Sequence, residues 1–326
     1  MRSGTTARSR RTGGAAWRWG MGLVLLLSLF GGWFTITPAT RAASIEVTSA
    51  LDDDGAGCTL REAIASANTD TAVGECAAGS GDDTITFAAG LTGPIVLAQG
   101  QLTIATSLTI AGPGRDLLTI DGAEAGRIFV ALDGNLGDDV AVRVALAGLT
   151  ITGGVEELGG GIYAEYIHLD LRDLTITGNR AAAGPAPAIV GGRGGGLYAQ
   201  YLNALTLTRV TVSDNVAEGP TNESTNDATY AGDGGGLLVY ASSGVVLTDS
   251  VISGNTAGGS RANQAAGGRG GAIMPQDLVG AVAITGTTIS GNSAAGGTGL
   301  ASWDGAYGQG GRGGGLYASY ATVTLS

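Results

Sequence analysis

The sequence predicts an all-β fold: a right-handed parallel β-helix (solenoid) with a short N-terminal helical cap. Three observations predict it. One strand-like motif recurs every 36 to 40 residues, a glycine-rich run ending in apolar residues falls between its copies, and helical periodicity is confined to one patch near the start.

The motif reads LDLRDLTITGN at 169–179, LTLTRVTVSDN at 205–215, VVLTDSVISGN at 245–255 and VAITGTTISGN at 282–292. An earlier copy at 144–154, VALAGLTITGG, lacks the closing Asn. Apolar residues alternate along each copy, as in Leu169 and Leu171, then Leu174 and Ile176. Period two and β-branched side chains mean strand. The break in parity between the two pairs predicts a bend or bulge. Between copies stand GGGIYA from Gly159, GGGLYA from Gly194, GGGLLV from Gly234, GGAIMP from Gly270 and GGGLYA from Gly313. Repetition at this period is the mark of a stacked architecture, in which equivalent side chains lie about 4.8 Å apart. Ile176, Val212, Ile252 and Ile289 would then fill the interior as one column. Asn179, Asn215, Asn255 and Asn292 would form another, with stacked amides bonding to one another and to backbone in a structural role. Glycine, 60 of 326 residues, shows no Gly-X-Y period, which excludes collagen, and an apolar fraction of 44% argues against disorder.

The boundaries follow. Residues 1–42 hold six arginines, no acids, an apolar run from Met21 to Ile36 and the small-residue stretch Thr40-Arg41-Ala42. That is the pattern of a cleaved secretory signal, and the run is shorter than the about 20 apolar residues of a membrane span. Residues 43–94 form the predicted cap. Within it CTLREAIASAN, 58–68, places Leu60, Ala63, Ile64 and Ala67 on one helical face, and Thr59 with Glu62 has the spacing of a capping box. Cys58 and Cys76 are the only cysteines, and an even count in an exported chain predicts a disulfide worth about 3 kcal/mol. Residues 95–326 are the repeats. The final TVTLS matches the middle of the recurring strand, so the array is expected to be truncated there or covered by a partner.

Charge excludes two partners. Every basic residue is Arg, and without the signal 11 arginines face 28 acids, a net charge of −17. Nucleic acid and anionic membrane would be repelled, so a membrane is expected only through an anchor outside this chain. A metal site of sulfur or imidazole ligands is set aside, because His168 is the only His.

Candidate chemistry is sparse. Asp173, Arg209 and Asp249 fall in one column, followed by Gly286, and read as a surface charge ladder. Asp170, Arg172 and Asp173 are the nearest match to the Arg base beside carboxylates that a lyase would use. Neighbouring copies supply Thr206 and Thr208, then Val246 and Thr248, instead of further acids. Asp173 and Asp249 would bracket a glycosidic bond only with Arg209 between them, keeping both ionised. Asp133, Asn135, Asp138 and Asp139 form either a weak calcium loop or a solvated turn; otherwise no cofactor is expected. Tyr163, Tyr198 and Tyr317, with Leu238 and Met274 between, either pack on the outer face or offer a sugar-stacking platform. Loops such as GPTNESTNDATYAGD from Gly219 are where binding is expected. Their shortage of aromatic and basic residues speaks against a strong anion site.

CTLREAI, the following Ala67-Asn68, Cys76 and DTITF at 83–87 together resemble the CSLREA motif that opens secreted bacterial right-handed β-helix proteins, with Thr59 where Ser is usual. LTIAGPGRDLLTIDGAEAGRIF, 108–129, resembles the turns that follow that motif. The GGG…N repeats are similar to those of pectate-lyase-like β-helices and polymorphic outer-membrane proteins. The resemblance covers residues 44–326 and implies architecture and export without specifying an activity. Two functions are therefore expected in competition. One is a secreted or cell-surface module, non-catalytic, adhering to cells or binding an extracellular polysaccharide or cell-surface glycan. The alternative is a polysaccharide lyase or glycoside hydrolase on the same scaffold.

Overall fold

A computed structural model describes residues 42–326 apart from 54, 56, 134–140, 186–189, 222–228, 263 and 300–306. The predicted signal, except Ala42, lies outside the described residues. The described chain is β-rich, with one α-helix, Leu60–Thr69, and all its sheets are parallel. Each repeat feeds the sheets in the same order. Ile162–Glu165 joins a six-stranded sheet, His168–Arg172 a nine-stranded sheet, Thr175–Thr177 a seven-stranded sheet and Arg180–Ala181 a five-stranded ladder of short strands. The next repeat does the same with Leu197–Gln200, Ala204–Thr208, Thr211–Ser213 and Val216–Ala217.

The register follows the sequence repeat. Leu169 pairs with Leu205 and Leu171 with Leu207, and Ile176 pairs with Val212, Val212 with Ile252 and Ile252 with Ile289. Period-two alternation sends these residues inward, where Leu169, Leu171, Leu174, Ile176, Leu205, Leu207, Val210 and Val212 are all buried. The break in parity is a sharp corner. Asp173, Arg209, Asp249 and Gly286 hold φ of 50°, 54°, 50° and 59° between the strands of the nine- and seven-stranded sheets. The charged column therefore sits at left-handed corners instead of along a strand. Left-handed backbone at a non-glycine residue costs about 1 kcal/mol.

The asparagines close the next corner. Asn179 donates from its backbone N–H and from Nδ2 to Asn215 Oδ1, both at 3.0 Å. Asn215 bonds Asn255 Oδ1 the same way at 3.0 and 2.9 Å, and Asn255 bonds Asn292 Oδ1 at 2.9 Å twice. Each Nδ2 also donates to an interior carbonyl, of Ile151, Ile176, Val212 and Ile252 respectively, at 2.9–3.1 Å. The third glycine of the runs from Gly159, Gly194 and Gly234 makes room for this ladder, while Ala272 stands at that position in the run from Gly270. A Cβ on Gly196 would stand 2.8 Å from Gly236 O and 3.1 Å from Asn215 Cγ.

The N-terminal segment is woven into the same sheets. Ser44–Val47 pairs with Asp83–Phe87, which pairs with Leu108–Ala111 in the nine-stranded sheet. The helix packs against the first two of these strands and Leu102–Ile104, burying Leu60, Ala63, Ile64 and Ala67. Thr59 and Glu62 form a complete capping box. Arg61 forks onto buried Asp52 at 2.8 and 2.9 Å, while Asn68 bridges Thr103 O and Ala105 N at 2.7 and 2.9 Å. The polar residues of this motif thus lash the helix to the sheets. Cys58 and Cys76 are joined by a disulfide.

Asn215→Ala removes the acceptor for two donors of Asn179 and the donor to Ile176 O, inside the core. Urea denaturation is expected to show a loss of about 3 kcal/mol, against under about 1 kcal/mol for Ser213→Ala on the same strand.

Candidate functional site

The sequence candidates for catalysis come together without forming a reactive centre. Asp170 and Arg172 lie on the strand His168–Arg172, and Arg172 Nε donates to Asp170 Oδ2 at 2.7 Å. Asp173, at the following corner, receives a forked pair of hydrogen bonds from Arg209, both 2.7 Å. That hydrogen bonding holds Asp173 below the usual carboxylate range, the reverse of what a general acid needs. Arg172 is raised by its bond to Asp170, which keeps it protonated and unsuited to act as a base. Of the calcium candidates, Asp133 is described, while Asn135, Asp138 and Asp139 lie outside the described residues. Among the described residues no three His, Cys, Asp or Glu side chains gather as a metal site would require, and no helix is long and apolar enough to cross a membrane.

The outward face of the six-stranded sheet is different in kind. Period two, which sends Ile162 and Ala164 inward, turns Tyr163 and Glu165 outward, and the register stacks Tyr198 on Tyr163, then Leu238, then Met274. Tyr198, Leu238 and Met274 form a buried apolar strip with Tyr163, Tyr240 and Tyr317 packed against it. Tyr163 and Tyr198 are stacked at 5.7 Å between ring centres, and the Arg127 guanidinium lies 5.0 Å above the Tyr163 ring. The phenols are bound into a network. Tyr163 Oη donates to Glu165 at 2.8 Å, Tyr198 Oη donates to Gln200 Oε1 at 3.0 Å, and Gln200 Nε2 donates to Tyr163 Oη at 2.6 Å. Burial, helped by the Glu165 hydrogen bond, pushes the Tyr163 phenol up, and burial does the same to Tyr198. Both stay neutral donors at any physiological pH.

A second column runs along one margin of this strip. The residue before each glycine run is Leu158, Arg193, Asp233, Arg269 or Arg312 in successive repeats, and these residues bridge one to the next. Asp233 is 2% exposed and receives Arg269 side-on, at 2.8 Å from Nε to Oδ1. This hydrogen bond raises the Arg269 pKa and fixes the guanidinium in place. Between the charged margin and the tyrosines opens a cleft of about 320 Å³ lined by Arg193, Tyr198, Tyr230, Tyr240, Arg269 and Gln276. A second, of about 250 Å³, shares Tyr230 and Arg269 and adds Gln309 and Arg312. Tyr230, 56% exposed, overhangs both.

Beyond Tyr240 the aromatic surface continues. The Tyr201 ring meets Tyr240 edge-on at 5.7 Å and stacks on Tyr166 at 5.1 Å with the planes 10° apart. Tyr166 and Tyr201 occupy left-handed corners, φ 58° and 53°. A bulky aromatic is rarely tolerated there, so exposed rings are held in place against backbone preference.

Of the sequence candidates, Tyr198 forms part of the cleft, while Tyr163 and Tyr317 flank it. Asp170 and Arg172 lie on a different sheet, and Asp173 at the corner that follows it. Arg193, Tyr230, Tyr240, Arg269 and Gln276 were not singled out. The expectation that the loops lack aromatic and basic residues fails at their C-terminal ends, where Tyr230 closes GPTNESTNDATYAGD and the arginines stand immediately before the glycine runs. The signal was periodic and available, one charged residue before successive runs.

Asp233→Ala leaves the Arg269 guanidinium without its partner and is expected to cost about 3 kcal/mol of stability by urea denaturation. Arg172→Ala, on a surface pair, should stay within about 0.5 kcal/mol. No protein-family model, no curated protein and no solved structure matches the chain.

Proposed function

We propose that the chain is a right-handed parallel β-helix of a secreted or cell-surface protein, and that it binds a glycan without cleaving it, in the cleft on the outer face of the six-stranded sheet. The β-helix reading is supported by the fixed order in which each repeat enters the sheets, and export by the signal-like residues 1–42 and the resemblance to CSLREA-motif proteins. The observation that carries the binding reading is the lining of the clefts. Tyrosines, guanidinium groups and amides converge there, and among the described residues none of those lining the clefts is a carboxylate. A pyranose offers an apolar C–H face to an aromatic ring and vicinal hydroxyls to planar forked donors such as Arg and Gln, so this residue set suits a sugar. Hydrolysis of a glycosidic bond needs two carboxylates, and lyase chemistry needs an unprotonated base. The described lining offers a sugar-binding set in place of either, which favours adhesion or glycan capture over the lyase or hydrolase alternative. An extracellular polysaccharide or cell-surface glycan is the partner this lining fits.

Mature protein titrated calorimetrically against an array of soluble cell-wall and capsular polysaccharides, pectate and alginate included, should bind at least one. Tyr230→Ala should weaken that binding by about fivefold or more, since stacking on an aromatic is worth about 1 kcal/mol or more. Arg172→Ala should leave it unchanged. Failure to bind any member, or release of unsaturated oligosaccharides that Arg172→Ala abolishes, would overturn the reading.

A further inference from the structure

We propose that an export signal peptidase cuts the chain between Ala42 and Ala43, and that the α-ammonium so released seats on the buried carboxylate of Asp83. The inference rests on export of the chain and is independent of glycan binding.

Asp83 opens the strand Asp83–Phe87 and is 1% exposed. Its Oδ1 accepts from the backbone N–H of Ala43 at 2.9 Å and of Ser80 at 2.8 Å. Its Oδ2 is shielded from solvent and has no hydrogen-bond partner, and among the described residues no arginine forms an ion pair with this carboxylate. A carboxylate sealed from water with two neutral donors and an orphaned oxygen is costly, because buried charges are otherwise paired. The carboxylate is also held tightly: a Cβ on Gly79 would fall 2.4 Å from Oδ2 and 2.7 Å from the carbonyl of Ser66 in the helix.

The nitrogen that could complete this site is already there. Thr84 N donates to Ala43 O at 2.9 Å and Ser44 pairs with Thr84, so the sheet register itself brings Ala43 N to Asp83. The sequence offers a cut at the matching bond. Export peptidases require small residues one and three positions before the cut, and cleavage after Ala42 places Ala42 and Thr40 there. Moving the cut by one residue either way would put Arg41 at one of the two positions. Hydrolysis adds water across the amide. The C–N bond breaks, Ala42 leaves with a carboxylate, and Ala43 N becomes an ammonium with three N–H donors and a positive charge where the uncut chain offers one neutral N–H. The orphaned oxygen gains a donor and the buried charge a counterion. The first strand is thereby pinned to the second beneath the disulfide-closed helix.

The test exploits the absence of lysine from the chain, which leaves the α-amine as the only primary amine. Terminal sequencing of the exported protein should begin at Ala43. An amine-reactive ester should label the folded protein at least about tenfold more slowly than the same protein in urea. Protein beginning at Ala43 should melt roughly 5 °C above forms that retain Ala42 or carry an N-terminal acetyl group, and Asp83→Asn should erase that difference. A start at another residue of the exported protein, equal labelling of folded and unfolded protein, or equal melting of the three forms would overturn the proposal. Chain recovered only uncut inside the cell would instead overturn export. The labelling measurement stands even if Asp83→Asn fails to fold.

Discussion

The asparagine ladder is the interaction on which the rest of the architecture depends. Every repeat must leave the seven-stranded sheet and reverse toward the next, and a corner in a dry interior strands backbone donors and acceptors. Asn215, Asn255 and Asn292 answer this by offering an acceptor to the preceding asparagine and a donor to a carbonyl one repeat back. An amide carries the donor and the acceptor on separate atoms, so it can serve a carbonyl and an N–H at the same time. Because each bond reaches a neighbouring repeat, the ladder fixes which residues lie in register, and the inward columns of Leu, Ile and Val inherit that register. The glycines that follow are a consequence, since a side chain at Gly196 would collide with the amide it faces.

Charge is used twice in the repeat, with opposite effects. At the corners of Asp173 and Arg209 both side chains are in water, where a fork of hydrogen bonds orders them and adds little stability. Before the glycine runs, Asp233 is sealed and Arg269 is half-covered, so the pair is rigid and its guanidinium faces a cavity in a fixed pose. The same two residue types thus make a passive surface in one column and a preorganised wall in another. Burial separates them: the Asp173 and Arg209 side chains are about half exposed, whereas Asp233 is almost fully covered.

That is also why the two parts of the molecule were unequally legible in the sequence. Strand identity, inward columns, the asparagine register, the capping box of Thr59 and Glu62 and the Cys58–Cys76 pairing are local or periodic, and a period read from one chain is enough to place them. The cleft is neither. Its residues come from four places in the repeat: the outward strand face, the strand end, the position before the glycines and the end of a loop. Tyr166 and Tyr201 were hidden for another reason, since a tyrosine at a left-handed corner contradicts its own backbone preference and no propensity argument would put it there. Two periodic columns do reach the site, the tyrosine column through Tyr198 and that of Arg193, Asp233, Arg269 and Arg312, but neither reveals the residues that join them into a cleft.

The loops between each asparagine and the next glycine run have a consequence for how such a protein can change over evolutionary time. In principle a loop outside the sheets is free to mutate. Here Arg261–Ala262 and Gln264–Ala265 of one loop pair with Thr298–Gly299 and Tyr307–Gly308 of the next. Neighbouring loops are therefore not independent characters. The paired segments are separated by one residue in the first loop and by seven in the next, so length can be added between the ladders while the ladders themselves constrain both loops, and diversification is channelled into the stretches between them.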